Sequence, residues 1–251
     1  MPEFGAIIIG DEILSGKRQD KHLAKVIGAL TQRGLELAWA EYLGDDPQRI
    51  TATLKRSFAT DNIVFSFGGI GATPDDHTRQ CAAAAAGVPL FRHPDAVKEI
   101  EERFGKDAYP KRILMAEFPE GSKAIANPFN RIPGFSLNHH YFLPGFPEMA
   151  WPMMESVLDT VYPHLQHQVL QAEEIIVVPG IPESDVIDPM NNVLAQFDSV
   201  KVSSLPRFTA TGREVELSVR GKPEQVPGGM AIIKNAITAL GYAFVEKTEN
   251  T

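Results

Sequence analysis

The stretch FSFGGIGATPDDHT, residues 65–78, runs from an apolar strand through three glycines to two adjacent acids and a helix start. A strand that empties into a glycine turn and then a helix is the repeating joint of a parallel α/β sheet. On one reading the glycines merely permit a tight turn, and Asp76 caps the following helix. On the other, the turn cradles a phosphate while Asp75 and Asp76 hold the cation that accompanies it. The flanking sequence bears on both.

Upstream, AIIIG (6–10) is a continuous apolar run closed by glycine, as expected of a strand covered on both faces. A helix follows over 20–34, with Leu23, Val26, Ile27 and Leu30 on one face, Asp20 placed to cap its start and Gly34 to stop it. Residues 35–43 alternate as a second strand, 47–59 form a helix, and 62–67 form a third strand. Helices over 75–87 and 93–105 come next. This alternation predicts a mostly parallel sheet with helices on both faces. From residue 106 prolines and glycines separate short apolar stretches, with strands expected at 123–126 and 140–143 and a helix at 148–164. A first domain over 1–165 is therefore expected. A small α+β domain over 168–247 follows it, with strands at 173–178, 199–204 and 214–220 and helices at 182–197 and 226–241.

Charge and composition narrow the function classes. A net charge of −8 and a pI near 5.4 argue against wrapping a nucleic-acid backbone, which needs a basic stripe. No apolar run reaches the ~20 residues that span a bilayer, and no leader-like segment opens the sequence, so no membrane partner is expected. The single cysteine, Cys81, suits a reducing cytoplasm and reads as a small buried side chain of an alanine-rich helix. Trp39 and Trp151 read as core or interface aromatics. His139 and His140, adjacent on a strand, point to opposite faces and make a poor metal pair.

Acids recur at three successive strand ends: Asp11–Glu12 after Gly10, Asp45–Asp46 after Gly44, and Asp75–Asp76 after the glycine turn. Each alone is ordinary turn chemistry. Together at one rim they repel one another unless a cation sits between them, and all-oxygen donors suit Mg²⁺, Mn²⁺ or Co²⁺. GGIGATPDD matches neither GxxxxGK[ST] nor GxGxxG.

GDEILSGKRQDKHLAKVI, LGDDPQRI and FSFGGIGATPDDHTRQ together resemble the molybdopterin-binding, MoaB/Mog-like domain, in the form found in the CinA (competence/damage-inducible) family. FPEGSKAIANPFNRIPGF, LPGFPEMAWPMM and IPESDVIDPMNNVL continue the likeness into a KH-like α+β domain. The deamidase domain of full-length CinA proteins has no counterpart in these residues. The resemblance implies a divalent-metal-dependent hydrolase of a nucleotide diphosphate such as ADP-ribose or FAD, with K⁺ as a further ion. The alternative it implies is a molybdopterin-binding protein of molybdenum cofactor biosynthesis. In either case the ligand is a phosphorylated small molecule, and a homo-oligomer, a dimer first, is implied. Carried onto this sequence, Glu12 and Asp76 are the catalytic candidates, and Asp11, Glu12, Asp45, Asp75 and Asp76 the metal candidates. Thr73 is a phosphate donor, with Gly10, Asp20, Asp46, Gly68, Gly69 and Gly71 as further ligand contacts. Pro133–Gly134 and Pro144–Gly145 complete the implied ligand site. Three positions depart from the family pattern: Ala72 for proline, His22 for asparagine, and Asn130–Arg131–Ile132 for Gly-Thr-Ala. The last places a long cation where it would alter the pocket wall or add a phosphate contact.

Overall fold

The computed structural model describes residues 2–167, 172–209 and 212–247. The chain divides into two units, one ending at Gln166 and the other beginning at His167.

In the first unit β1 (Phe4–Ile9) lies between β2 (Leu37–Leu43) and β3 (Ile63–Phe67), parallel to both. Successive β1 side chains face opposite sides of the sheet, and both sides are apolar. Phe4, Ala6 and Ile8 enter one core, while Ile7 and Ile9 enter the other. The six strands run in the order β2-β1-β3-β8-β7-β6, where β8 is His140–Leu143, β7 Gly134–Leu137 and β6 Lys123–Ile125. The first four are mutually parallel, β7 runs antiparallel to β8, and β6 antiparallel to β7. α2 (His22–Thr31) and α6 (Pro147–Val161) cover one face through Val26, Leu30, Met153 and Leu158. On the other face α3 (Pro47–Phe58), α4 (Thr78–Ala86) and α5 (Pro94–Phe104) bury Ile50, Leu54, Cys81 and Ile100. The chain leaves β1 for β2 and then returns to the far side of β1 to make β3. That reversal opens a crevice between the carboxyl ends of β1 and β3.

The mostly parallel, doubly covered sheet agrees with the sequence expectation. The helix expected from residue 75 starts only at Thr78, because residues 71–77 form a loop; Asp76 is not its cap. Asp20, by contrast, accepts hydrogen bonds from the amides of His22 and Leu23, as foreseen. Three short strands were not foreseen: β7, β4 (Leu90–Arg92) and β5 (Glu117–Pro119), the last two pairing as a ribbon. β7 and β8 are joined through Asn138 and His139, both at positive φ, as two-residue hairpin turns require. His140 is a core residue: its Nδ1–H donates to the Asn138 carbonyl and its Nε2 accepts from the Ser57 hydroxyl, each at 2.7 Å. Trp39 and Trp151 are half-buried against the two cores.

The second unit is an antiparallel sheet in the order β10-β11-β9-β12 (Val200–Thr209, Gly212–Gly221, Ala172–Pro179 and Val245–Lys247). α7 (Ile187–Gln196) and α8 (Val226–Ala239) pack on it through Val193, Met230 and Ile233. This is the α+β unit expected, with the short β12 added. Among the described residues, no helix is long and apolar enough to cross a membrane.

Candidate functional site

The crevice at the β1/β3 reversal opens into a cavity of about 730 Å³. Its floor is the ends of three strands: Ile9–Gly10, Phe67–Gly68–Gly69 and Pro144–Gly145. Backbone crowding requires glycine here. Gly68 has φ 102°, and a Cβ on it would lie 2.2 Å from the Ile9 carbonyl oxygen. Gly69, at φ 66°, leaves room for the Thr78 hydroxyl, which donates to the Gly68 carbonyl at 3.0 Å. Beyond them, the amides of residues 69–72 donate to no partner among the described residues, although all four line the cavity. Successive free amides at a strand end form an anion-binding concavity.

The loop is held from below by Arg79. This arginine is 2% exposed and donates to the carbonyls of Gly71 at 2.6 Å, Glu117 at 3.1 Å and Leu114. Burial lowers its pKa, as expected for a desolvated cation. From inside the loop, Asp76 accepts from both the amide (2.8 Å) and the hydroxyl (2.5 Å) of Thr73. Thr73 therefore directs its hydroxyl to a carboxylate within its own loop.

The other acids divide between cavity and scaffold. Glu12 and Asp45 line the cavity, as does Asp20. Asp11 does not: its carboxylate accepts from the Asp45 amide at 3.1 Å, and Asp45 returns the bond by accepting from the Asp11 amide at 2.9 Å. Asp46 also lies off the cavity; it caps α3 by accepting from the amides of Gln48 and Arg49. Pro133 and Gly134 are likewise absent from the wall. Gly134 opens β7, where a Cβ would lie 2.4 Å from the Phe142 carbonyl oxygen. Gly10, Gly68, Gly69, Gly71, Thr73, Asp75, Asp76, Pro144 and Gly145 all line the cavity. Asp45 is pushed above its usual carboxyl range by desolvation, with the charges of Asp11, Glu12 and Asp75 acting in the same sense. The acids thus share one rim. They do not, however, converge as a metal cage: among the described residues no group of three His, Cys, Asp or Glu side chains is placed to hold an ion. The donor set does not fit a resident, protein-only divalent site, because Asp11, Asp45 and Asp76 are already engaged by backbone or hydroxyl donors.

The opposite wall is apolar, formed by Met115, Ile132, Phe146 and Met149. His22 closes one corner, 5% exposed and stacked on Phe67 with ring centroids 4.4 Å apart. Its Nε2–H donates to the Gly145 carbonyl at 3.2 Å, and burial lowers its pKa, so the ring is neutral. Asp20 also accepts from the Tyr42 hydroxyl at 2.7 Å; burial and that bond push the phenol up to about 12. Arg131 corrects an expectation. Its guanidinium is turned from the cavity and paired with Glu99 at 2.7 Å and with Glu102, both on α5. Asn130, its neighbour, is the residue that faces the cavity. Sequence reasoning missed the bracing role of Arg79. Its one local signal was an arginine at the start of a helix otherwise rich in alanine.

Residues 5–167 match the family model described as a probable molybdopterin binding domain. A protein of Caldivirga maquilingensis is 30% identical over 246 residues, 93% of each chain. A CinA-like protein of Syntrophotalea carbinolica is 31% identical over 70% of this chain and 45% of its own length, so this chain spans about half of such relatives. Among solved structures, the protein CinA of Thermoplasma acidophilum, titled as of unknown function, is 27% identical with a TM-score of 0.58, covering 63% of this chain and 97% of that one. With residues 5–167 matched by that model, the chain belongs to the molybdopterin-binding domain family, as a CinA-like member.

Proposed function

We propose that the cavity binds a phosphorylated pterin of the molybdopterin class, with the phosphate at the 69–72 turn and the ring against the methionine wall. The observation that carries this reading is the run of four unbonded amides beside an apolar chamber of about 730 Å³. Such a chamber offers an anion and a flat heterocycle adjacent seats. Titration calorimetry with molybdopterin tests it. Binding at one site per chain, displaced by pyrophosphate, is the expected result; no heat and no displacement would remove the reading.

A second reading is hydrolysis of a nucleotide diphosphate, ADP-ribose or FAD, with Mg²⁺, Mn²⁺ or Co²⁺. It is favoured by the acid rim beside the same amides, whose mutual repulsion is felt at Asp45. Since Asp76 is engaged by Thr73, Glu12 and Asp75 are the carboxylates left to act on a water or an ion. Release of AMP from ADP-ribose, lost in Asp75→Asn, supports it; a wild-type protein that releases none refutes it. Assembly as a homodimer belongs to the same proposal and is measured by light scattering.

A further inference from the structure

Asn130 lies in the loop between β6 and β7, on the cavity wall, and is 8% exposed. Its Oδ1 accepts two bonds, from Asn127 Nδ2 at 2.8 Å and from the Ile132 amide at 2.9 Å. Asn127 is itself fixed: Nδ2 also donates to the Ile132 carbonyl at 2.9 Å, and Oδ1 accepts from the Phe129 amide at 3.0 Å. Arg103 donates to the Asn130 carbonyl, so backbone and side chain are both held. With Oδ1 filled by two donors, the amide cannot turn over. Nδ2 must face Met149, whose sulfur lies 3.2 Å away. A thioether is a weak acceptor, and Nδ2 carries two protons. The protein thus keeps a rigid, nearly buried donor on an apolar wall with only sulfur to receive it. Such a group is costly unless something better occupies the space.

We propose that Asn130 selects the ligand's ring, donating from Nδ2 to an uncharged oxo group of a heterocycle. The inference rests on the cavity being the ligand site and specifies which ring it takes. A phosphate oxygen is the poorer partner here, because the donor meets the uncharged Met149 sulfur on a wall shared with Met115 and Ile132, and the 69–72 amides stand ready for an anion. A ring that presents an amino group at this point is rejected: Nδ2 cannot accept, and Oδ1 has no capacity pointing into the cavity. The ligand class is therefore a phosphorylated oxo-pteridine or a similar oxo-heterocycle.

The test uses the full chain and two probes that differ at one ring position: 6-hydroxymethylpterin monophosphate, with a 4-oxo group, and its 2,4-diamino analogue. Wild type is expected to bind the oxo probe roughly tenfold more tightly. Asn130→Asp keeps the acceptor for Asn127 and Ile132 and exchanges the donor for a charged acceptor; the added charge weakens both phosphorylated probes alike, and the ratio between them should reverse. Equal binding of both probes by wild type, or a ratio that does not reverse in Asn130→Asp, overturns the inference and leaves the cavity reading standing. Failure of wild type to bind either probe removes the cavity reading, and the inference with it. If Asn130→Asp does not fold, as a thermal melt would show, the wild-type ratio alone decides.

Discussion

At the scale of single residues, this site is built by groups that hold backbone rather than by groups that point at solvent. Gly68 is the sharpest case, since any side chain there meets the Ile9 carbonyl oxygen at 2.2 Å. Gly68→Ala should cost ~2 kcal/mol or more and abolish ligand binding, read together by denaturant titration and calorimetry. Arg79→Met should leave three carbonyls without their buried donor, lowering stability by about 3 kcal/mol and weakening phosphate binding through the freed 71–73 segment. His140 supplies a pH signature. Burial lowers its pKa to about 4, against 6.5 for the exposed ring. Its stabilising contribution is complete above pH 6.5. As pH falls towards 4 that contribution is lost, because the unfolded chain takes the proton first. Between pH 7 and 5 wild type should lose about 2 kcal/mol more than His140→Gln, measured by urea unfolding.

At the scale of elements, strands buried on both faces were legible because their apolar runs are local. β1 and β3 were visible as AIIIG and NIVFSF, and α3 through its Pro47 start. β7 escaped because it starts at a glycine after proline and turns through Asn138–His139, where Asn-Gly would be the recognisable signal. β4 and β5, three residues each, carry too little pattern to declare themselves. The glycine turn of the site was legible for the same reason as β1: its chemistry is contiguous. Arg79 and Asn130 were not, since Arg79 acts on carbonyls 35 and 38 residues away and Asn130 meets Met149, 19 residues on. Aspartates at strand ends mislead in one specific way: Asp45 and Asp46 are neighbours in sequence, yet one faces the cavity and the other caps a helix. Asp46→Ala should therefore cost about 1 kcal/mol of stability with ligand affinity unchanged. Equal melts, or a loss of affinity with full stability, would reverse that division.

At the scale of the molecule, each unit carries its own apolar core. Both clusters of the first unit draw only on residues up to Leu165, and that of the second only on residues from Ala172. Every residue of the cavity lies before residue 150. A fragment ending at Gln166 should fold cooperatively and bind the same ligand with the same affinity, checked by circular dichroism and calorimetry. A fragment that folds without binding would show that the second unit completes the site. One clamp on the cavity loop has a consequence of its own. Arg131, at φ 62°, holds the β6–β7 loop to α5 through two partly exposed carboxylates. Brine shortens the reach of such pairs to a few ångströms. Added electrolyte should therefore loosen this side of the chamber, and even an electrically neutral guest should escape faster from a concentrated salt solution than from a dilute one.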